Sequence, residues 1–321
     1  MSAAVESGRW LVTGAAGFLG SHLVDELLGM GAEVLALDNL AWGAPHNVNR
    51  HVGNQSFQFV QSDIRDQAAL AQVMKRFRPQ CVAHLAALHY IPAAVADPVS
   101  TVGINVYGTQ VLLSAALACA VDRIWFASTG DIYPSSDLPH REDDPPGPFD
   151  IYGLTKLQGE QLMALAARTH PEKHIVAGRL FNLYGPRETN PHVLPEILRQ
   201  IVQCPGSPLR LGNLWPTRDL TPVRDAARAI VATVAHSDPG LTIVNIGTGR
   251  AWSISEVLEQ LRVITGKELP VELDPSRVRR VERPHLQADV RRLRTMIGWT
   301  PHSDLARGLA ELLQAHNSGA F

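Results

Sequence analysis

The sequence predicts an α/β fold, a doubly wound parallel sheet with a smaller α/β substrate lobe on its C-terminal side. Three observations carry that prediction. Short apolar runs alternate with amphipathic helical stretches from residue 10 to residue 180, the order that builds parallel strands through right-handed crossovers. The first such unit places Gly14, Gly17 and Gly20 between a strand and a helix, and Asp38 where the next strand ends. Beyond Tyr184 the alternation loosens, because prolines at 186, 191, 195, 205, 208, 216 and 222 cut the chain into short pieces. The expected division is 1–180 for the sheet domain and 181–321 for the second lobe, with a strand at 242–246 returning to the main sheet.

Bulk properties narrow the function classes. A chain of 321 residues with 45% hydrophobic content suits one large or two closely joined lobes with a sizeable core. The net charge of −2 gives no bulk reason to expect a nucleic acid or a membrane surface as partner. Cys81, Cys119 and Cys204 are few and scattered, so neither a disulfide framework nor a metal site is expected. The first ten residues lack a basic start followed by an apolar core, and no uninterrupted apolar stretch of spanning length is read, so a cytoplasmic location is expected.

Taken in order, residues 10–12 form a buried strand and residues 21–28 a helix that Gly29 and Gly31 terminate, followed by a strand at 33–37 closing on Asp38. This strand, glycine turn, helix, strand and acid are the order a dinucleotide site requires. Gly14 permits a tight turn, Gly17 lets backbone approach a pyrophosphate, and Gly20 lets helix and strand pack closely. The helix N-terminus then offers free N–H groups and a partial positive charge, and Phe18, Leu19 and Gly20 just before it are expected to contact the cofactor. Asp38, with Asn39 beside it, can accept from ribose hydroxyls, and its charge would repel a 2′-phosphate, which favours NAD over NADP. The Gly-x-x-Gly-x-x-Gly spacing after Thr13 resembles the extended branch of the short-chain dehydrogenase/reductase superfamily, a Rossmann-type fold.

A polar loop at 39–55 leads to a strand at 57–60 and to Asp63-Ile64, which resembles that superfamily's adenine-contacting pair. Residues 67–77 read as a helix and 80–85 as a strand, followed by the small Ala86-Ala87. Leu85, Ala86 and Ala87 therefore let a cofactor approach the backbone. A long helix at 98–120 carries Asn105, a residue that is costly in a helix unless it bonds something. A strand at 123–127 ends in Ser128-Thr129. The acid- and proline-rich stretch 136–149 reads as a surface loop, 152–168 as a helix and 175–180 as a strand. Further helices are expected at 195–202, 225–235, 255–265, 289–297 and 305–315.

Tyr152 and Lys156 lie four residues apart, so both leave one face of their helix. A free phenol titrates at about 10, too high for a base at neutral pH. A neighbouring ammonium, with the positive nicotinamide ring above, favours the phenolate and lowers that value. The preceding strand end supplies the hydroxyl of Thr129 to share a hydrogen bond with a substrate oxygen.

Here the similarity becomes specific. The pieces TGAAGFLG, Asp63-Ile64, His84–Ala87, Asn105, Ser128-Thr129 with Tyr133, and YGLTK resemble an NAD-dependent nucleotide-sugar epimerase/dehydratase of the extended short-chain family. So do residues 178–187, Thr217-Arg218-Asp219, Arg283-Pro284 and 298–301. The resemblance implies a transient oxidation at the sugar C4 with NAD, a 4-keto intermediate, Tyr152 moving the C4 hydroxyl proton, Thr129 polarising it and Lys156 holding the nicotinamide ribose. It also implies contacts to the sugar nucleotide from Asn182, Arg218 and Arg283, with His89, Arg187, His192 and Leu194 as further candidates, and a homodimer through the helices 98–120 and 152–168. His84 reads instead as a satisfied core histidine, and Arg277, Arg279, Arg280, Arg291 and Arg292 as a solvated basic face.

The segment Thr129-Gly130-Asp131 leaves the outcome open. Asp131 could be a C5/C6 acid–base, which would make the enzyme a 4,6-dehydratase or uronate decarboxylase, or it could brace the turn. Gly130 removes one expected acidic or hydroxyl group, so C4 epimerisation leads. A non-catalytic NAD-sensing scaffold is a third reading. The sugar and the base are not legible; residues 209–213 do not distinguish UDP from GDP, CDP or dTDP.

Overall fold

The computed structural model describes residues 5, 7–278 and 282–317. Strands β1 (Arg9–Thr13), β2 (Glu33–Asp38), β3 (Phe57–Gln61), β4 (Cys81–His84), β5 (Arg123–Thr129) and β6 (His174–Leu180) alternate with helices. Three short strands, β7 (Asn182–Tyr184), β8 (Leu209–Leu211) and β9 (Thr217–Pro222), precede β10 (Gly240–Ile246). The main sheet has seven parallel strands in the order β10-β6-β5-β4-β1-β2-β3, so β10 returns to pair with β6.

Period-two alternation explains the helices on both faces. Trp10, Val12, Val34 and Trp125 point into one apolar cluster, with Leu23, Leu27 and Ile230 from the helices Phe18–Gly29 and Val223–His236. Leu11, Leu35, Ile124 and Phe126 point into the other, with Leu70, Met74, Leu112 and Met163. A strand buried on both sides cannot alternate with polar residues, which is why these strands read as continuous apolar runs. The chain leaves β1 towards β2 on one side and occupies β4 on the other. That reversal opens a crevice at the carboxyl edge, where Thr13 stands level with Leu37 and with His84.

A third cluster lies beyond β6, built from Tyr184, Leu194, Ile197, Leu198, Leu211, Leu258 and Leu309. Over it lie two small sheets: β9 with β7, β11 (Ala251–Ser253) and β13 (His285–Leu286), and β8 with β12 (Val271–Leu273). None of the strands in these two sheets was expected from the sequence: five of them span only two or three residues, and the six-residue β9, TRDLTP, has no apolar alternation.

Several local expectations are corrected. The first helix begins at Phe18, one residue after Gly17 and before the expected Ser21. The loop after Asp38 holds a helical turn, His46–Asn49, and a helix Ile91–Ala96 precedes the long one. The long helix, Pro98–Ala118, opens into a π turn at Gly103–Gly108. Its polar residues, spread along the turns, leave it apolar enough by length and composition to cross a membrane, and 44% of that window is buried within the protein. The stretch 136–149 is not all surface: His140 is buried, donates its N–H to Gln287 and accepts from Asp289.

Candidate active site

A cleft of about 1240 Å³ runs along the carboxyl edge of the sheet. Gly14, Gly17, Phe18, Leu19, Gly20, Asp38, Asn39, Asp63, Ile64, Leu85, Ala86 and Ala87 line one end. Gly14 has φ +71, and a Cβ on it would stand 2.7 Å from the Ala86 nitrogen. A Cβ on Gly20 would stand 2.0 Å from the Gly14 carbonyl oxygen, so the turn closes only around bare glycine. Gly17 caps the helix Phe18–Gly29 without any side-chain hydrogen bond, which leaves its first-turn N–H groups facing the cleft for a phosphate oxygen.

Asp38 is set by the backbone around it. Its two oxygens accept from Ala16 N at 2.9 Å and Leu40 N at 2.8 Å. Burial pushes its carboxyl up, against the pull of those two donors. Each oxygen keeps a further acceptor position for a ribose hydroxyl. Asp63 accepts from Asn39 Nδ2 and holds Arg65 through both oxygens, and the Arg65 hydrogen bonds bring its carboxyl down to about 2. These groups fit the adenosine and diphosphate of a dinucleotide.

Behind the glycine turn, His84 is a core residue. Thr13 Oγ1 meets His84 Nδ1 at 2.8 Å and Thr109 Oγ1 meets Nε2 at 2.9 Å. Since Thr109 donates onward to the Asn105 carbonyl, Nε2 is the protonated nitrogen. Burial lowers His84 to about 3, so it stays neutral.

The reacting groups come from two elements. Thr129 ends β5. Tyr152 and Lys156 stand on the helix Ile151–Thr169, started by Asp150, whose carboxylate accepts from Gly153 N at 2.8 Å. Gly153 admits the turn below it: a Cβ there would lie 2.6 Å from the Asp131 carbonyl oxygen. Lys156 Nζ donates to the Ala127 carbonyl at 2.8 Å and sits 5.9 Å from the Tyr152 ring centre. Ser128 is turned away from the reacting groups, donating to Glu160, which grips Arg179 with both oxygens.

Burial lowers Lys156 to about 7. Burial, and then the Asp131 and Asp150 carboxylates, push the Tyr152 phenol up, against a Thr129 hydrogen bond that lowers it.

Asp131 is tied into its turn. Its N–H donates to Thr129 Oγ1 at 3.1 Å, its Oδ2 accepts from that hydroxyl at 3.3 Å, and Arg283 approaches Oδ1 at 3.6 Å.

At the other end His89, Asn182, His192, Leu194, Arg218 and Arg283 line the cleft. Arg218 donates to the Thr217 and Arg283 carbonyls and to Glu282 Oε1 at 2.6 Å. Arg283 donates to the Gly130 and Tyr133 carbonyls and lies 4.8 Å from the Phe149 ring.

Two expected site residues turn away from the cleft, and a third, His89, stays in its lining. Arg187 does not reach the cleft; it bends back to Asp25 at 2.8 Å and His22 Nδ1 at 2.5 Å, clamping its loop to the helix Phe18–Gly29. Asn105 does not line the cleft either. Its amide accepts from Leu88 N and donates to Leu88 O and Thr155, bracing the loop behind the cleft floor. His89 lines the cleft with its nitrogens occupied, Nε2 accepting from Asn190 at 3.0 Å and the ring bonding the Ala87 carbonyl. Burial lowers it to about 4.

Sequence reasoning also missed residues. Arg277 is exposed, as expected, but it also lines the cleft and pairs with Glu196 at 2.9 Å. Arg291 and Arg292 do pair at the surface, with Asp289 and Asp143. Arg279 and Arg280 lie outside the described residues. Trp42, Tyr90 and Glu188 also line the cleft. Only their position in segments that depart from the resembled pattern could have drawn attention to them.

Comparison with known proteins matches this arrangement. The profile described as the NAD dependent epimerase/dehydratase family matches residues 10–247. A UDP-glucose 4-epimerase of Lacticaseibacillus casei is 33% identical over 313 residues, covering 91% of this chain and 92% of that one. A UDP-glucose 4-epimerase of Thermus thermophilus, solved with NAD, superposes with a TM-score of 0.86 at 31% identity, covering 98% of this chain and all (100%) of that one. A UDP-glucose 4-epimerase of Thermotoga maritima, solved with UDP-glucose, gives 0.87 at 28% identity, covering 98% and 100%.

Proposed function

Because the chain belongs to the NAD-dependent epimerase/dehydratase family, we propose that its own reaction is inversion at C4 of a UDP-hexose through a 4-keto sugar. The observation that supports this most is the convergence of Thr129, Tyr152 and Lys156 at the middle of one cleft, with a dinucleotide cradle at one end and Arg218 and Arg283 at the other. Bound NAD supplies the oxidation and re-reduction at C4. Tyr152 Oη takes the proton of the C4 hydroxyl and returns it to the same oxygen. Thr129 Oγ1 polarises that hydroxyl from the strand end. Lys156, anchored on the Ala127 carbonyl, holds the nicotinamide ribose. With NAD bound, the positive nicotinamide ring and the Lys156 ammonium would favour the phenolate that takes this proton, against the burial that raises the phenol, and the phenol so formed returns it. Asn182, His192, Leu194, Arg218 and Arg283 hold the sugar nucleotide, the two guanidinium forks facing the diphosphate.

The runner-up is dehydration or decarboxylation with Asp131 as acid–base, which is supported by its place beside Tyr152. Its bonds within the turn and to Arg283 favour bracing instead. The deciding experiment is NMR product analysis on UDP-glucose, N-acetylglucosamine, glucuronate and mannose forms with no added cofactor. A C4-inverted product is expected, together with a ~10²–10⁴-fold loss in Tyr152→Phe. A 4-keto-6-deoxy sugar or loss of carbon dioxide would replace this reading with the runner-up, and unchanged turnover in Tyr152→Phe would remove Tyr152 from the mechanism.

A homodimer is part of the same proposal. The adjoining helices Pro98–Ala118 and Ile151–Thr169 expose Val99, Tyr107, Leu154 and Leu165, an apolar face that a second copy would cover. Light scattering should give twice the 35.0 kDa chain mass, and Val99→Asp with Leu165→Asp should return it to one.

A further inference from the structure

Glu188 sits in the segment between Pro186 and His192, which the family pattern leaves open, and its side chain is only 3% exposed although it lines the cleft. It has few partners there. Asn190 N donates to Oε1 at 3.2 Å, and His192 Nδ1 stands 3.5 Å from Oε2. The carboxylate is aimed by its frame: Asn190, 3% exposed, donates its side-chain amide to His89 Nε2, so the loop carrying Glu188 is pinned to the loop carrying His89. Through that hydrogen bond Glu188 belongs to a loop joined to the one that carries His89, and both residues line the same cleft as Tyr152 and Lys156.

We propose that Glu188 determines sugar specificity, accepting hydrogen bonds from hydroxyls of a neutral hexose and excluding a sugar whose C6 is a carboxylate. This rests on the C4-epimerase reading of the same cleft. The charge balance around the sugar supports it. Glu188, Asp131 and Asp150 all line this part of the cleft. The cations of the cleft are paired within the protein or assigned to the diphosphate: Arg277 pairs with Glu196 and Arg218 with Glu282, and Arg218 and Arg283 face the diphosphate in the proposed complex. Arg283 donates to two carbonyls and approaches Asp131, Arg187 is turned out to Asp25, and Lys156 is bound to the Ala127 carbonyl. His89 is held as an acceptor by Asn190, and burial keeps it neutral. A uronate carboxylate would therefore meet Glu188 with only the His192 ring, already against Glu188 Oε2, beside it, and like charges placed together discriminate strongly between partners. A hydroxymethyl group at C6 brings a donor instead and satisfies the same oxygen.

The test compares UDP-glucose with UDP-glucuronate on the NAD-loaded enzyme, by kcat/KM from NMR and by Kd from calorimetry, in wild type, Glu188→Gln and Glu188→Ala. The expected result is a wild-type preference for UDP-glucose of ~100-fold in both ratios, narrowed about 10-fold in both variants, chiefly through tighter uronate binding. A wild type that takes the two sugars equally overturns the proposal, and so does a preference unchanged within about twofold in variants that retain NAD and melt normally. If no UDP-hexose is turned over at all, the epimerase reading fails, while the two Kd ratios still decide the role of Glu188.

Discussion

The two ends of the cleft are built by different means. At the cofactor end the recognising groups are backbone atoms and strand termini, fixed by Gly14, Gly17, Gly20 and Asp38 within one stretch of chain. At the sugar end they are side chains from separated loops: His89, Asp131, Glu188, Arg218 and Arg283. The first design tolerates almost no added atom and is indifferent to which sugar follows. The second leaves the backbone free and puts selectivity in a few side-chain charges. Substitutions at the two ends should therefore fail differently, the first by losing the cofactor and the second by changing the substrate.

The largest expected effect is at Gly20. Any side chain there drives into the Gly14 carbonyl, 2.0 Å from its Cβ, and into Ala15. Gly20→Val should lose retained NAD, cutting cofactor affinity by at least ~100-fold, with about 1–3 kcal/mol of destabilisation from overpacking. The readouts are the cofactor released on denaturing the purified protein and a thermal melt. A Gly20→Val protein that purifies with full cofactor would break the contrast between the two ends.

Acid should expose a weakness the two ends share. Burial lowers His22 and His84 to about 3 and His89 and His140 to about 4, against an ordinary value near 6.5. Between those values the unfolded chain binds more protons than the folded one, so stability falls as pH falls. It is fully present above about pH 6.5 and is lost progressively towards pH 4. The melting temperature should drop steadily over that interval. A flat profile from pH 7 to 4.5 would mean these imidazoles are protonated without cost.

The same contrast explains what was legible beforehand. The strand–glycine–helix–acid unit is contiguous and each residue has a local job, so its order alone placed the cofactor cradle. Tyr152 and Lys156 were legible because one helical turn aligns them, and Thr129 because a strand end precedes them. Asn105 and Arg187 were misplaced because type and motif position do not say which way a side chain turns: Asn105 faces the Leu88 backbone and Arg187 faces Asp25. The strands β7, β8 and β11 to β13 are too short to carry a period, β9 is long enough but has no apolar alternation, and all exist through pairing with distant segments, as Thr217 with His285. Glu188 and Arg277 carry no local signal at all, since their role depends on loops a hundred residues away.

The smallest expected effect separates bracing from catalysis at Asp131, which stands between the two ends. Its carboxylate helps to keep the Tyr152 phenol high, second to burial. Asp131→Asn removes that negative charge, so Tyr152 should ionise at lower pH, and the limb of the pH–rate profile that reports it should move to lower pH. The amide can still accept from Thr129 Oγ1 and from Arg283, so the turn should hold and epimerisation at its optimum should change by less than about fivefold. A catalytic acid–base at C5 and C6 would behave otherwise. Losing it would remove most product formation, by ~10²–10⁴-fold, with the Tyr152 limb shifted or not. The size of the loss and the direction of the limb are independent readouts, so a small loss with an acid-shifted limb assigns Asp131 to the turn.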